Sequence, residues 1–328
     1  MRRTLVTGAH GFVASHLTKA LLERGEEVRI LDRPDPRTAD VGGPRRSALD
    51  LLGIRDEVEL AEGDLRDAEA VSGAVRGCDS VFHLAAQTIV GVARRSPRET
   101  FETNVRGAWN VFEACREHGV GRTVFASSDK AYGTSPELPY REDFPLRASY
   151  PYDASKAAAD IVARSYANAY GLPLAVTRFA NVYGGGDLNF SRLIPETVVA
   201  LLEGRAPQIR SDGSPERDFL HVDDAVSAYL AIAEALDEGR AGGEAFNAGG
   251  ERPHSVREVI DLIVATVDAG VEPEYLGIGT PSGEIDRQYV DSTKLREMTA
   301  WRPQVELGHG LARTLAWYRE HPEARPAK

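Results

Sequence analysis

The segment Gly8-Ala9-His10-Gly11-Phe12-Val13-Ala14 constrains the fold more than any other stretch of this chain. It joins a short apolar run, Thr4 to Thr7, to a helical pattern in which Phe12, Leu17, Leu21 and Leu22 share a face before Gly25 stops it. A strand that turns through glycine directly into a helix lays that helix back on itself, so the next strand runs parallel to the first. The chain repeats the unit. Val28 to Leu31, Val58 to Ala61, Ser80 to Ala85, Thr123 to Ser127 and Leu174 to Arg178 read as strands. Helical stretches fall between most of them, chiefly Asn104 to His118 and Tyr152 to Tyr170. The alternation predicts an α/β fold built on a doubly wound parallel sheet.

Beyond Arg178 the texture changes. Asn181 to Asp187 reads as loop and residues 190–203 as helix. Pro207 to Arg217 is a candidate hairpin around Asp212-Gly213, and residues 222–236 are another helix with an apolar face. From Glu272 come isolated strand signals, then a last helix near residues 308–320. The expected organisation is a first domain over residues 1–180, to which the chain returns near residues 218–248. Residues 181–328 mainly form a smaller α/β lobe.

The 328 residues, 42% of them apolar, can fill both cores. A net charge of -11 argues against a nucleic-acid or anionic membrane partner, but not against a small anion held by local dipoles and a few arginines. No apolar run approaches bilayer length, and the N-terminus reads as a first strand, not a signal peptide. Cys78 and Cys115 show neither metal-ligand spacing nor a disulfide framework, which predicts a reducing, cytoplasmic setting and no metal.

The glycine turn stands where dinucleotide binding is expected. Gly8 permits the tight turn, Gly11 lets backbone approach a pyrophosphate, and the small Ala14 lets helix pack on strand. Phe12 and Val13 open the helix, whose positive end faces the phosphates. Asp32 ends the second strand, where a carboxylate accepts hydrogen bonds from the adenine ribose and repels a 2′-phosphate. That favours NAD over NADP, with Arg33 pulling the other way. Asp64 and Leu65, after the third strand, are placed to bracket the adenine. A glycine turn with an incidental aspartate is common, but strand, turn, helix and acid in register point to a Rossmann-type domain.

Tyr152 and Lys156 are four apart in a helical stretch, so they share a face. An ammonium beside the tyrosine, helped by the positive nicotinamide ring, lowers its pKa, and the phenolate can take a proton from a sugar hydroxyl as hydride leaves the same carbon. Tyr-x-x-x-Lys arises by chance in many helices. Here it follows a dinucleotide turn and a strand ending at Ser127-Ser128, with Asp129-Lys130 next.

These elements together resemble the extended branch of the short-chain dehydrogenase/reductase superfamily, the NAD-dependent epimerases and dehydratases that modify nucleotide sugars. The likeness runs over nearly the whole chain. It includes His83-Leu84-Ala85-Ala86-Gln87, Asn104, Arg178-Phe179-Ala180-Asn181-Val182-Tyr183-Gly184, Arg217-Asp218-Phe219-Leu220-His221-Val222-Asp223-Asp224, and Arg287 through Trp301-Arg302-Pro303. The resemblance implies that Ser128, Asp129, Lys130, Tyr152 and Lys156 carry catalysis. It adds Leu84, Ala85, Ala86, Gln87, Asn104 and Ser127 to the NAD contacts. It assigns Thr88, Ser128, Asn181, Asn189, Arg192, Arg217 and Arg287 to a nucleotide-diphosphate sugar, with Arg217 and Arg287 as diphosphate clamps. An Arg or Asn is more commonly a surface charge or a helix cap, and only the family position lifts these above that background. The helices at 104–118 and 152–170 show a second apolar stripe (Val105, Trp109, Phe112; Ala158, Ile161, Val162), which in this branch forms a homodimer.

The pair after Ser128 divides the branch. Epimerases usually carry small or apolar residues there, and 4,6-dehydratases of the dTDP-glucose and GDP-mannose type carry Asp-Glu. With Asp129-Lys130, Ala85-Ala86-Gln87 and Gly184-Gly185-Gly186-Asp187-Leu188-Asn189-Phe190-Ser191-Arg192, the chain most resembles CDP-glucose 4,6-dehydratase-like proteins. That implies oxidation at C4, loss of water across C5 and C6, and return of hydride to C6. An NDP-sugar epimerase, C4 most of all, would use the same Tyr152, Lys156, Ser128 and NAD. A dinucleotide sensor on the same fold would need no Tyr-Lys pair.

Overall fold

Seven parallel strands, counted among the described residues, form the central sheet of the computed structural model. They are β1 (Arg3–Thr7), β2 (Glu27–Asp32), β3 (Glu59–Glu62), β4 (Ser80–His83), β5 (Arg122–Ala126), β6 (Leu174–Phe179) and β7 (Ala245–Ala248). Their order is β3-β2-β1-β4-β5-β6-β7. The structure describes residues 1–33, 47–250, 252–267, 270–280 and 284–326. The direction of winding reverses between β1 and β4, where Thr7 lies beside His83, and a crevice opens above their carboxyl ends.

Helices cover both faces, so central strands such as β4 and β6 are buried along their whole length. On one face Val6, Ile30, Phe82 and Val124 meet Leu17 and Leu21 of α1 (Phe12–Glu23). Ile232 and Leu236, from the helix Val222–Asp237, join them. On the other face Leu5, Leu31, Val81 and Phe125 meet α2 (Ala68–Val75), α3 (Gly107–Glu117) and α4 (Pro151–Tyr170) through Val71, Val111, Phe112 and Ala159. Each fully buried side chain of this size contributes roughly 1.5–3 kcal/mol. The period-2 alternation of β1 and β2 thus feeds two separate cores.

The rest of the chain builds a lobe over the carboxyl edge. Its core joins α5 (Leu193–Leu202), α7 (Val256–Val267) and α8 (Leu307–Glu320) through Val198, Val259, Ile263, Leu311 and Leu315, while Val222–Asp237 is α6. The spacing Val256, Val259, Ile260, Ile263 shows α7 in the sequence, although it was not among the expected elements. Two other expectations are corrected. Asn181–Tyr183 is a short strand paired with Phe219–His221, not loop. Pro207–Arg217 is not a hairpin: Gln208–Ile209 pairs with Glu274–Tyr275, and Glu216–Arg217 lies between His254–Ser255 and Arg287–Gln288. Asp212-Gly213 does turn, with Gly213 at φ +89° and Asp212 Oδ1 accepting from Ser214 N at 2.9 Å. Arms this short gain little from each other and find partners elsewhere in the lobe. No helix among the described residues is long and apolar enough to cross a membrane.

Candidate active site

The glycine turn leaves β1 at the crevice. Gly8 has φ +76°, and a β-carbon on it would stand 2.7 Å from Ala85 Cα. Its N–H donates to Leu31 O at 3.0 Å, and Gly11 N–H donates to Gly8 O at 2.8 Å. Gly11 precedes α1 with extended backbone and no side-chain cap, so the first amides of the helix face outward for an anion. Asp32 Oδ2 accepts from His10 N at 2.9 Å and Oδ1 from Arg33 N at 3.0 Å. Burial raises this carboxyl, and those amides pull it back down. A backbone cradle that a single β-carbon would fill, uncapped amides and an acid at the end of β2 fit a dinucleotide. Asp64, beyond β3, spends its carboxylate on Arg66 at 2.9 and 2.6 Å. Leu65 is buried against Gly107.

The loop after β4 is fixed from below. Thr7 Oγ1 accepts from Ala85 N at 3.1 Å and lies 2.7 Å from His83 Nδ1. Burial pushes His83 down to about 3, so its ring is neutral and Nδ1 can accept from Thr7. Leu84, Ala85, Ala86 and Gln87 are half-buried along this loop, and Thr88 is exposed. The expected helix from Asn104 to His118 begins with a π-helical turn, Glu102–Arg106, that contains Asn104. Asn104 Oδ1 accepts from Gln87 N at 2.7 Å, and Nδ2 donates to Gln87 O at 3.0 Å and to Ser155 Oγ at 2.9 Å. Ser155 Oγ donates to Tyr152 O at 2.7 Å. Asn104 therefore clamps the β4 loop to the helix that carries Tyr152.

β5 ends beside that helix. Ser127 N–H donates to Thr177 O at 2.8 Å. Ser128 Oγ accepts from Lys130 N at 3.2 Å and donates to Asp129 Oδ1 at 3.1 Å. Asp129 is buried, its Oδ2 has no hydrogen-bond partner, and burial raises its carboxyl against the pull of Lys130 and Gln288. Lys130 Nζ donates to Gln288 Oε1 at 3.2 Å. Tyr152 and Lys156 lie in the first turns of α4, which opens with Pro151. Burial pushes the Tyr152 phenol up to about 12, against the pull of Arg192 and a hydrogen bond to Ser128. Lys156 Nζ sits 5.0 Å over the Phe125 ring, and burial lowers it to about 8 while Asp160 raises it.

The expected sugar-nucleotide residues divide. Arg217 is buried, Nη1 donates to Glu216 O and Asp286 O at 2.9 and 2.8 Å, and Asp129 is among its charged neighbours. Arg287 lies in the neighbouring strand but is exposed and donates to Glu216 Oε2 at 2.7 Å. Successive side chains in a strand alternate, so Gln288, not Arg287, turns in toward Lys130. Arg192 pairs with Asp187 at 2.9 Å and lies near Tyr152. Asn181 Nδ2 donates to Asp218 O at 3.2 Å, and Asn189 Oδ1 accepts from Ser191 N at 3.1 Å, so both hold loop backbone. Sequence reasoning missed Gln288 and Asp153. Asp153 is buried in the first turn of α4 and pushed up to about 6 by burial, with Lys130 and Arg94 opposing and Asp129 assisting. The acid directly after the tyrosine was the signal available for it.

The sequence matches the NAD dependent epimerase/dehydratase family over residues 4–249. The chain belongs to that family. Its cofactor is NAD, which agrees with the cradle around Gly8 and Asp32. The chain is 35% identical to a UDP-glucose 4-epimerase of Mycolicibacterium smegmatis, covering 97% of this chain and 98% of that protein. It is 34% identical to a dTDP-glucose 4,6-dehydratase of Streptomyces griseus, covering 97% and 94%. The crystal structure of the dTDP-glucose 4,6-dehydratase of Streptomyces venezuelae with NAD bound superposes with a TM-score of 0.86 at 32% identity, covering 99% of this chain and 100% of that one. The family therefore places the chain among the NAD-dependent NDP-sugar dehydratases and epimerases.

Proposed function

We propose that the protein is an NDP-sugar 4,6-dehydratase, with a CDP-glucose-like substrate favoured by the Gly184–Arg192 segment. The observation that carries this reading is Asp129: a buried carboxyl, raised by burial, on the turn that Ser128 caps. An acid whose protonated form burial favours can donate to a departing hydroxyl. NAD, when bound against the glycine turn, supplies the hydride acceptor and later the hydride donor. Tyr152 takes the proton of the C4 hydroxyl while Ser128 holds that oxygen. Lys156 and the positive ring of bound NAD would favour the phenolate, together with Arg192 and Ser128. Lys130 takes the C5 proton, and Asp129 protonates the leaving C6 oxygen. Arg217 is the better placed of the two expected diphosphate clamps, since it lies on the Asp129 side. Arg287 must leave Glu216 to join it.

A second reading is an NDP-sugar 4-epimerase, favoured by the likeness to the mycobacterial UDP-glucose epimerase. The test is to incubate the protein with CDP-, dTDP-, UDP- and GDP-glucose in deuterated water and follow the products by NMR. A 4-keto-6-deoxy sugar labelled at C5 supports dehydration, and the base that turns over names the nucleotide. Clean conversion to the C4 epimer sinks the dehydratase reading.

We also infer a cytoplasmic homodimer. Trp109 (54% exposed), Ile161 (60%) and Tyr170 (63%) lie on α3 and α4, an apolar face that suits a second copy of the chain. The buried free thiols of Cys78 and Cys115 accord with a reducing compartment.

A further inference from the structure

Lys130 Nζ donates to Gln288 Oε1 at 3.2 Å. An ammonium can only donate, so the amide oxygen of Gln288, not its nitrogen, must face it. Gln288 is wholly buried, and its strand is pinned from two sides. Gln288 O accepts from Asp218 N at 3.1 Å, Tyr289 O accepts from Tyr140 N at 2.9 Å, and Asp291 N donates to Tyr140 O at 2.8 Å. Asp129 precedes Lys130 in sequence, yet the two side chains do not bond. Asp129 Oδ1 is taken by Ser128 at 3.1 Å, and its buried Oδ2 has no hydrogen-bond partner. Consecutive side chains on a helical turn diverge, and Gln288 takes the amine instead. Gln288 Nε2 is also buried without a partner. Buried polar groups are almost always paired, so this donor and the free Asp129 oxygen stand ready for a bound hydroxyl.

We propose that Gln288 is a positioning residue that acts through Lys130: a neutral acceptor on a rigid strand, it fixes where the lysine nitrogen stands and keeps it from pairing with Asp129. The base and the acid of the C5/C6 elimination then stay separate. This rests on the dehydratase reading above. An unanchored lysine stem samples many rotamers, and one bond at a fixed point selects among them before substrate arrives. Neutrality matters as much as place. A carboxylate at position 288 would hold the ammonium as an ion pair and favour the charged form, which cannot take a proton. An amide holds the same nitrogen through an uncharged oxygen. The arrangement also answers a difficulty in the sequence, where Asp129 stands next to Lys130 and is the nearest acid with which it could pair.

The experiment separates C4 oxidation from the C5 step. With the NDP-glucose that the wild-type protein turns over, reduced cofactor is followed at 340 nm in a single turnover, and C5 deuterium by NMR, at about pH 8. Gln288→Met keeps the length and removes the acceptor. It is expected to slow C5 exchange by about 10- to 100-fold, as for a lost hydrogen bond to a charged group, while C4 oxidation and KM change less than about threefold. Gln288→Glu, of the same size but ionised at this pH, slows C5 exchange at least as much. Gln288→Asn keeps the amide on an arm that the flexible lysine can meet, and C5 exchange returns to within about fivefold of wild type. Three results overturn the assignment and leave the dehydratase reading intact: C5 exchange at the wild-type rate in Gln288→Met or Gln288→Glu, C4 oxidation that falls as far as C5 exchange in Gln288→Met, or Gln288→Asn no faster than Gln288→Met. A wild-type protein that yields the C4 epimer without C5 label overturns both.

Discussion

Asp160 and Arg178 tie α4 to β6, and cutting that tie is a sharp test of how the site is supported. Both side chains are wholly buried; Arg178 Nε and Nη2 donate to the Asp160 carboxylate at 2.8 and 2.9 Å. The remaining nitrogen, Nη1, donates to Tyr132 Oη at 3.0 Å and to Glu142 O at 3.2 Å. Asp160→Ala leaves a guanidinium with no counter-charge and no water, which costs about 3–5 kcal/mol. For a chain of this size that is a fall in Tm of roughly 6–20 °C. The double variant Asp160→Leu with Arg178→Met replaces the pair by apolar groups and is expected to recover most of the loss, to within about 1 kcal/mol. Urea unfolding of the wild type, both single variants and the double gives the comparison. A loss under about 1 kcal/mol in Asp160→Ala, or a double variant no better than the single, refutes the reasoning. The same substitution has a second readout. Asp160 is the group that raises Lys156 against burial, so without it the lysine sheds its proton at a pH further below about 8. The alkaline limb of the pH–rate profile then moves to lower pH.

Two other outcomes are expected. Asp218 is buried, accepts from Gly250 N at 2.6 Å, and is pushed by burial from 3.8 to about 8. The folded protein therefore holds a proton that the unfolded chain releases, so this stabilisation is full below pH 4 and is lost as pH rises through 8. The Tm of the wild type should fall between pH 6 and 9 more steeply than that of Asp218→Asn, and parallel curves would contradict this. Trp109→Glu places a charge in the exposed face of α3 and α4 and should convert the proposed dimer to monomer in sedimentation, whereas a wild-type protein that is already monomeric removes that interface.

Much of the fold was legible because its signals are local. The Gly8–Ala14 turn, the alternation of apolar runs and the spacing of Tyr152 and Lys156 each depend on residues a few positions apart, and local sterics and periodicity fix their meaning. The family's motifs brought Ser128 and Asp32 to the same edge. What the sequence could not order was the pairing of short strands in the lobe. Strands of two residues, such as Gln208–Ile209 and Arg287–Gln288, carry too little pattern to name a partner.

The same limit governs the charges. From sequence, Arg287 was the residue to choose, yet strand alternation turns Gln288 inward, where it meets Lys130 across 158 positions of chain. Whether Tyr152 is held down by Lys156 or pushed up by burial depends on how much water the folded site excludes, a quantity no spacing records. The sequence by itself determined a doubly wound sheet, an NAD cradle and a Ser-Tyr-Lys set at one edge, since these follow from contacts between near neighbours. Only the tertiary structure decided that Gln288 meets Lys130 and that burial raises the carboxyls of Asp129 and Asp153. Burial and long-range charge set those energies, and both exist only once the lobe has closed over the sheet.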